Sequence, residues 1–132
     1  MEVKQVIIIR KDLKNKDGHK IKTGKLIAQG AHASLKVFLD DGLNLTNTSK
    51  IVEIADFMAD WMRAGFTKIV LACESEEELL KYYDEAQRNK LPSSLIRDAA
   101  RTEFEEPTFT CIAIGPGPSK KIDKIVGHLK TY

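Results

Sequence analysis

Thr67-Lys-Ile-Val-Leu-Ala-Cys73, running straight into Glu74-Ser-Glu-Glu-Glu78, is the stretch that decides the fold. Its first part is short, apolar and partly β-branched, which predicts a strand buried on both faces. Ser75 and Glu78 then form a capping box, in which the Ser75 side chain bonds the Glu78 N–H while Glu78 reaches back. The box opens a helix to about Lys90 with Leu79, Leu80, Tyr83 and Ala86 inward. A buried strand feeding a capped helix is the repeating unit of an α/β domain.

Working outward, Val3–Ile9 is a second β-branched run of the same kind. A basic, glycine-containing loop follows over residues 10–23, and then a helix over Gly24–Asp40, with Thr23 able to cap it. Ile27, Ala28, Ala31, Leu35, Phe38 and Leu39 repeat there at the helical period. Residues 41–48 read as a loop. A second helix is expected over Ser49–Ala64, with Ile51, Ile54, Ala55, Met58 and Met62 on one face and Gly65 as its stop. Beyond the central unit, Ser93–Arg97 is a short strand, Asp98–Pro107 a charged loop and Thr108–Ile114 a fourth strand. Gly115-Pro-Gly-Pro118 reads as a rigid turn, Ser119 as the cap of a last helix ending near Gly127, and His128–Tyr132 as a final strand or tail.

The order β-α-α-β-α-β-β-α favours parallel crossovers where helices intervene. The last two strands lack a helix between them and are either antiparallel or not adjacent. The expectation is a single three-layer α/β/α domain over residues 1–132, built on a mixed four-stranded sheet.

The chain has 132 residues, 42% apolar and 30% charged, enough for a real core. No apolar run approaches the ~18–20 residues that cross a bilayer, and Met1-Glu-Val-Lys-Gln5 passes directly into a strand, so neither a membrane span nor a signal peptide is expected. Cys73 and Cys111 lie in separate apolar strands. A disulfide is possible on paper, but two buried thiols in a reducing, cytoplasmic setting are the better reading.

The net charge of +2 hides an asymmetry. Arg10, Lys11, Lys14, Lys16, Lys20, Lys22 and Lys25 face two acids, Asp12 and Asp17, giving that segment +5. The segment from Ser119 adds +3, while acids collect at Glu74–Glu78 and Glu103–Glu106. Segregation of this kind suits a polyanionic partner meeting one face, or is simply loops carrying solvated lysines.

Two clusters stand out chemically. Lys25, Gln29, His32 and Lys36 make one polar stripe on the first helix, starting in the turn where free N–H groups and the dipole favour an anion. A lysine there is either a neutral accident or a residue that meets phosphate or a carboxylate; the plain alternative for the whole stripe is a solvated face. Arg97-Asp-Ala-Ala-Arg-Thr102 follows a strand, where open α/β sheets bind ligands. Asp98 is either a structural ion pair or turn cap, or the group that orients water with Thr102 beside it. His19, His32 and His128 have no metal-ligand spacing, no CxxC or HExxH is present, and no metal site is expected. The glycine-proline turn lacks a phosphate-binding lysine, and no GxSxG elbow supplies a nucleophile.

Lys4-Gln-Val-Ile-Ile-Ile-Arg-Lys-Asp-Leu13, Thr23-Gly-Lys-Leu-Ile-Ala-Gln-Gly-Ala-His-Ala33, Leu91-Pro-Ser-Ser-Leu-Ile-Arg-Asp-Ala-Ala-Arg-Thr102, Ala113-Ile-Gly-Pro-Gly-Pro-Ser119 and Gly127-His-Leu-Lys130 occur in that order. Together they resemble the type II, archaeal and eukaryotic type, peptidyl-tRNA hydrolases over nearly the whole chain. The resemblance implies an α/β domain, often dimeric, that hydrolyses the ester between a peptide and the tRNA 3′ ribose without metal or organic cofactor. It places the family's catalytic lysine on Lys25, its aspartate on Asp98 and its threonine on Thr102. Gln29, His32 and Arg101 match further residues around the cleft, and Lys14 and Lys22 in the basic loop are expected to contact tRNA. In this reading Lys25 and the loop neutralise phosphate, Lys25 can also stabilise an oxyanion, and Asp98 with Thr102 places the water.

The sequence departs from the family pattern beside that site. Asn15–Thr23 is longer than the family's run, Ala100 and Gly30 stand where a glycine and a cysteine are usual, and Glu103-Phe-Glu-Glu-Pro107 replaces a Pro-Gly. Two rivals therefore stay open: a non-catalytic tRNA-binding or adaptor domain on the same fold, and a hydrolase of another acyl ester or of D-aminoacyl-tRNA.

Overall fold

The computed structural model describes residues 2–39, 52–99, 104 and 106–132. Four strands form one mixed sheet: β1 (Val3–Arg10), β2 (Lys68–Cys73), β3 (Ser93–Asp98) and β4 (Thr108–Pro118), in the spatial order β2-β1-β4-β3. β1 and β2 are parallel, whereas β4 is antiparallel to both β1 and β3. Of the two arrangements open for β3 and β4, the adjacent antiparallel one is adopted. This geometry brings the C-terminal ends of β1, β2 and β3 to one end of the sheet.

β1 is buried on both faces, as its composition requires. Val6 and Ile8 join a core with Leu79, Tyr82, Ile122 and Val126, from α3 (Glu76–Arg88) and α4 (Ser119–Val126). Ile7 and Ile9 join the opposite core with Ala33 of α1 (Thr23–Lys36), Ile96 and Ala113. α2 (Asp56–Arg63) lies beside α1, where Trp61 stacks on Phe38 at 6.1 Å. The result is the expected three-layer α/β/α arrangement.

Several local expectations need correction. α1 starts at Thr23 itself, with Lys22 at the cap and no side-chain cap bond. It also turns a different face inward: Gln29, Gly30 and Ala33 are buried, while Ile27 is 68% and Leu35 60% exposed. The stripe that faces the sheet is made of Gln29 and the small residues Gly30 and Ala33, and a Cβ on Gly30 would make an ordinary 3.7 Å contact with the Ile7 side chain. α2 begins only at Asp56, residues 52–55 are not helical, and the expected start at Ser49 falls outside the described residues. Of its expected inward face Met58 is buried and Met62 half-buried, while Ile54 and Ala55 are exposed, and the second buried residue is Trp61. The Trp61 indole N–H donates to Thr67 O at 2.8 Å and fixes that rotation. On α3 the inward aromatic is Tyr82; Tyr83 is only half-buried.

The capping box holds with a shifted return bond. The Glu78 N–H donates to Ser75 Oγ at 3.1 Å, and the Glu78 carboxylate accepts from the Glu74 N–H at 2.9 Å, one residue before the cap. Gly115–Pro118 is no turn: β4 runs through it, pairing Gly117 with Lys4 and Pro118 with Val3. Gly115 is at φ +102°, and a Cβ there would meet Lys4 O at 2.6 Å, so the irregularity opposite Gln5 requires glycine. Ser119 is the first residue of α4 rather than its cap, and its N–H donates to Glu2 O at 3.0 Å. The C-terminal tail does form a strand-like pairing, on the outer edge of β2: Ala72 N donates to Lys130 O at 2.9 Å and Tyr132 N to Val70 O at 3.0 Å. No helix of the described residues is long and apolar enough to cross a membrane.

Candidate active site

The loop after β1 is ordered by its own residues. The Asn15 side chain accepts from the N–H groups of Asp17 and His19, both at 2.9 Å, and Gly18 takes φ +80° at the tip. Leu13 and Ile21 plug into the α1-side core, which leaves Lys14, Lys16, Lys20 and Lys22 exposed on the outside. The loop ends in the first turn of α1, at the end of the sheet where β3 also ends.

There the two clusters marked in the sequence meet. The Lys25 ammonium donates to Asp98 Oδ2 at 2.6 Å, with side-chain exposures of 20% and 8%. Gln29, one turn further on, donates from Nε2 to the same oxygen at 3.3 Å. A lysine in a first helical turn costs ~0.3–1 kcal/mol against the dipole, but a hydrogen bond involving charged groups contributes ~1.5–3 kcal/mol. The carboxylate therefore wins, and Lys25 is held across the helix start. The pair sits at the rim of the core, where removing either charge leaves the other poorly solvated.

Behind the pair lies a residue the sequence reading missed. Thr110, fully buried, donates from Oγ1 to Gln29 Oε1 at 2.5 Å. This fixes the amide so that its N–H₂ faces Asp98. The register shows how a residue in mid-strand comes to do so: Ile96 pairs with Cys111 but Arg97 with Phe109, so Thr110 is an extra residue in β4. Such a bulge breaks the alternation and re-aims the side chain. The sequence signal was slight, a single hydroxyl inside an apolar run, and the bulge that gives it meaning is a property of the pairing. Cys111 adds a contact from its thiol to Gln29 O at 3.3 Å. Burial pushes that thiol up to about 12, so it is no nucleophile. Cys73 is likewise buried and is pushed up to about 11, by burial first and the Glu78 carboxylate second.

The other site candidates fare differently. His32 is exposed on α1, and its side chain does not enter the Lys25–Gln29–Asp98 network. Lys36, further along the stripe, donates to Leu95 O of β3 at 2.9 Å. Arg101 and Thr102 lie outside the described residues. Among the described residues no cluster of three or more His, Cys, Asp or Glu could hold a metal ion. The chemistry the described groups support is therefore that of an ammonium and a carboxylate, positioned by a buried amide and a buried hydroxyl.

Comparison with known proteins places this arrangement. The family model described as peptidyl-tRNA hydrolase PTH2 matches residues 3–132. A peptidyl-tRNA hydrolase of Methanopyrus kandleri is 43% identical over 126 residues, covering 96% of this chain and 95% of the relative. One from Methanocaldococcus jannaschii is 41% identical over 97% of this chain and 98% of its own length. One from Haloquadratum walsbyi is 41% identical over 98% and 100%. With the family matched almost from end to end, and two residues in five shared across whole relatives, the chain belongs to the peptidyl-tRNA hydrolase PTH2 family.

Proposed function

We propose that this chain hydrolyses the ester that joins a peptide to tRNA, acting as one domain over residues 1–132. The observation that carries the proposal is the Lys25–Asp98 pair, 2.6 Å apart, at the sheet end that also bears the basic loop. Lys14 and Lys22 on that loop meet acceptor-end phosphates, a contact blind to base sequence. Lys25 donates to the oxygen of the ester carbonyl as it becomes an oxyanion, and Asp98 orients the attacking water. The acyl–oxygen bond breaks, the peptide leaves as a carboxylate, and the ribose oxygen takes up a proton. Gln29 and Thr110 hold Asp98 and Lys25 in place; by their match to the family pattern, Thr102 acts with Asp98 on the water, and His32 and Arg101 bind the substrate. No metal or organic cofactor takes part, and the setting is the cytoplasm, where translation supplies the substrate.

We also propose that the chain works as a homodimer. The support is the face that α1 leaves uncovered: Ile27, more than half exposed, flanks a groove of about 470 Å³ floored by Ile7, Ile9 and Val70, and Leu35, also more than half exposed, lines the neighbouring groove beside Phe38 and Trp61. Large exposed apolar patches mark interaction surfaces.

The deciding experiment measures turnover of N-acetyl-aminoacyl-tRNA and of its unblocked counterpart. The native chain is expected to cleave the blocked substrate and spare the free one, with Lys25→Ala and Asp98→Asn each ~10²–10³-fold slower. Unchanged turnover in both variants sinks the mechanism. Binding without cleavage by the native chain favours the adaptor reading.

A further inference from the structure

The two edges of the sheet are treated differently. The outer edge of β2 is paired by the C-terminal residues Lys130–Tyr132. Among the described residues no strand pairs with the outer edge of β3. Open edges invite another strand and are normally blunted or covered, and this one runs into Asp98.

The hydrogen-bond register says what that edge presents. Gly115 N donates to Pro92 O at 2.7 Å, which brackets the Ser93–Ile114 pair. In an antiparallel ladder a bracketed pair exchanges no bonds of its own, and the pattern repeats every second residue. The N–H and C=O groups of Ser93 and Leu95 therefore point away from β4, toward the outer edge, where Leu95 is half-buried and Ser93, its hydroxyl bonded by Gln87 at 2.6 Å, is the more covered end. The Lys36 ammonium reaching Leu95 O at 2.9 Å fits this, since that carbonyl is approached from outside the ladder. A carbonyl oxygen has two lone pairs, so it can accept from Lys36 and a strand together.

We infer that the edge of β3 binds the peptidyl part of the substrate by strand addition, with the peptide running parallel to β3. This rests on the ester-hydrolase reading of the Lys25–Asp98 site. The direction follows from chain polarity: the ester is at the C-terminal end of the peptide and must lie at Asp98, so the upstream residues extend back toward Ser93. At ~3.3 Å per residue the edge accommodates roughly four of them. Main-chain pairing of this kind ignores side-chain identity, as a hydrolase that accepts varied peptides requires.

The test uses the native full-length chain and tRNA carrying N-acetylated peptides of one to five residues, each also made with a single backbone N-methyl group at a successive position. The expected result is a kcat/KM that rises with length up to about four residues and then levels. N-methylation is expected to lower it about 2- to 10-fold at alternate positions only. Leu95→Pro removes an outward N–H without touching the β4 ladder, and is expected to abolish the length dependence while single-residue N-acetyl-aminoacyl-tRNA is still cleaved. Efficient cleavage with no length dependence, or equal sensitivity at every methylated position, overturns strand addition and leaves the ester-hydrolase reading standing. Failure to cleave any blocked substrate overturns both. If Leu95→Pro does not fold, the methylation series alone decides.

Discussion

Replacing Thr110 by valine tests whether the site depends on a buried positioning chain. Valine keeps the shape and removes one hydroxyl. In the native chain that hydroxyl satisfies Gln29 Oε1 at 2.5 Å, and Gln29 in turn donates to Asp98 at 3.3 Å. Both Thr110 and Gln29 are buried, at 0% and 4% exposure, so water does not readily replace the lost donor. An orphaned buried acceptor costs ~1–3 kcal/mol. For a chain of 132 residues the unfolding entropy is about 0.28 kcal/mol/K, at ~2.1 cal/mol/K per residue, so the loss corresponds to a Tm lower by about 4–11 °C. The freed amide no longer has a fixed orientation, and Asp98 loses a directed donor. Misplacement of a reacting group by ~1 Å can cost ~10²-fold in rate, so turnover of N-acetyl-aminoacyl-tRNA is expected to fall about 10- to 100-fold, chiefly in kcat. Thr110→Ser keeps the donor and is expected to recover most of that loss. Calorimetry and single-turnover kinetics on the three proteins read both effects. A valine variant as fast and as stable as the native chain, or a serine variant as slow as valine, refutes the reasoning.

Alkaline stability follows from the buried thiols. Cys111 is pushed by burial to about 12 and Cys73 to about 11, against ordinary values near 9. The native chain keeps these protons while the unfolded chain releases them, so their contribution is complete below pH ~9 and is lost as pH rises toward 11–12. Urea midpoints should fall over that window, and the fall should be shallower in Cys111→Ala. An identical slope in the two proteins contradicts the assignment. For tRNA binding, Lys14→Ala and Lys22→Ala should each reduce the slope of log K against log salt by about 1, equally for different tRNAs; anisotropy titrations at several salt concentrations check this. For assembly, Leu35→Glu should shift a dimer to monomer in sedimentation and remove the dependence of Tm on protein concentration, because Leu35 is 60% exposed in the chain alone and is covered only in the dimer. A native chain that sediments as a monomer ends the dimer proposal.

Much of the architecture was legible in the chain. The β-branched run at Val3–Ile9 could satisfy its burial only as an inner strand, and the Ser75–Glu78 cap could only start a helix; Thr67–Cys73, read as buried on both faces, is instead the edge strand β2, buried only from Leu71 to Cys73, with Lys68 and Val70 exposed. Lys25 and Asp98 were legible too, because a cation in a first helical turn and a carboxylate at a strand end each called for a partner. The family strings put the two in the same cleft, and the structure puts them 2.6 Å apart.

The periodicity of α1 and α2 was misread in phase. An apolar stripe shows that a helix has a sticky face, but not which neighbour covers it. On α1 the face that packs on the sheet carries Gln29, Gly30 and Ala33, and Ile27 and Leu35 are left outside. The Gly115–Pro118 segment looked like a turn because glycine and proline usually break ladders. Here they continue one, since the backbone of β1 passes too close for any other residue at Gly115.

By itself, then, the sequence determined the order of strands and helices and which charged residues need a partner, because those properties are set by side chains a few residues apart; it did not determine the ends of β4 and α2. The rotation of each helix, the bulge that turns Thr110 toward Gln29 and the open edge beside Asp98 were decided by the tertiary structure alone. Each depends on the distance and register between strands far apart in the chain, and neither is written in local residue spacing.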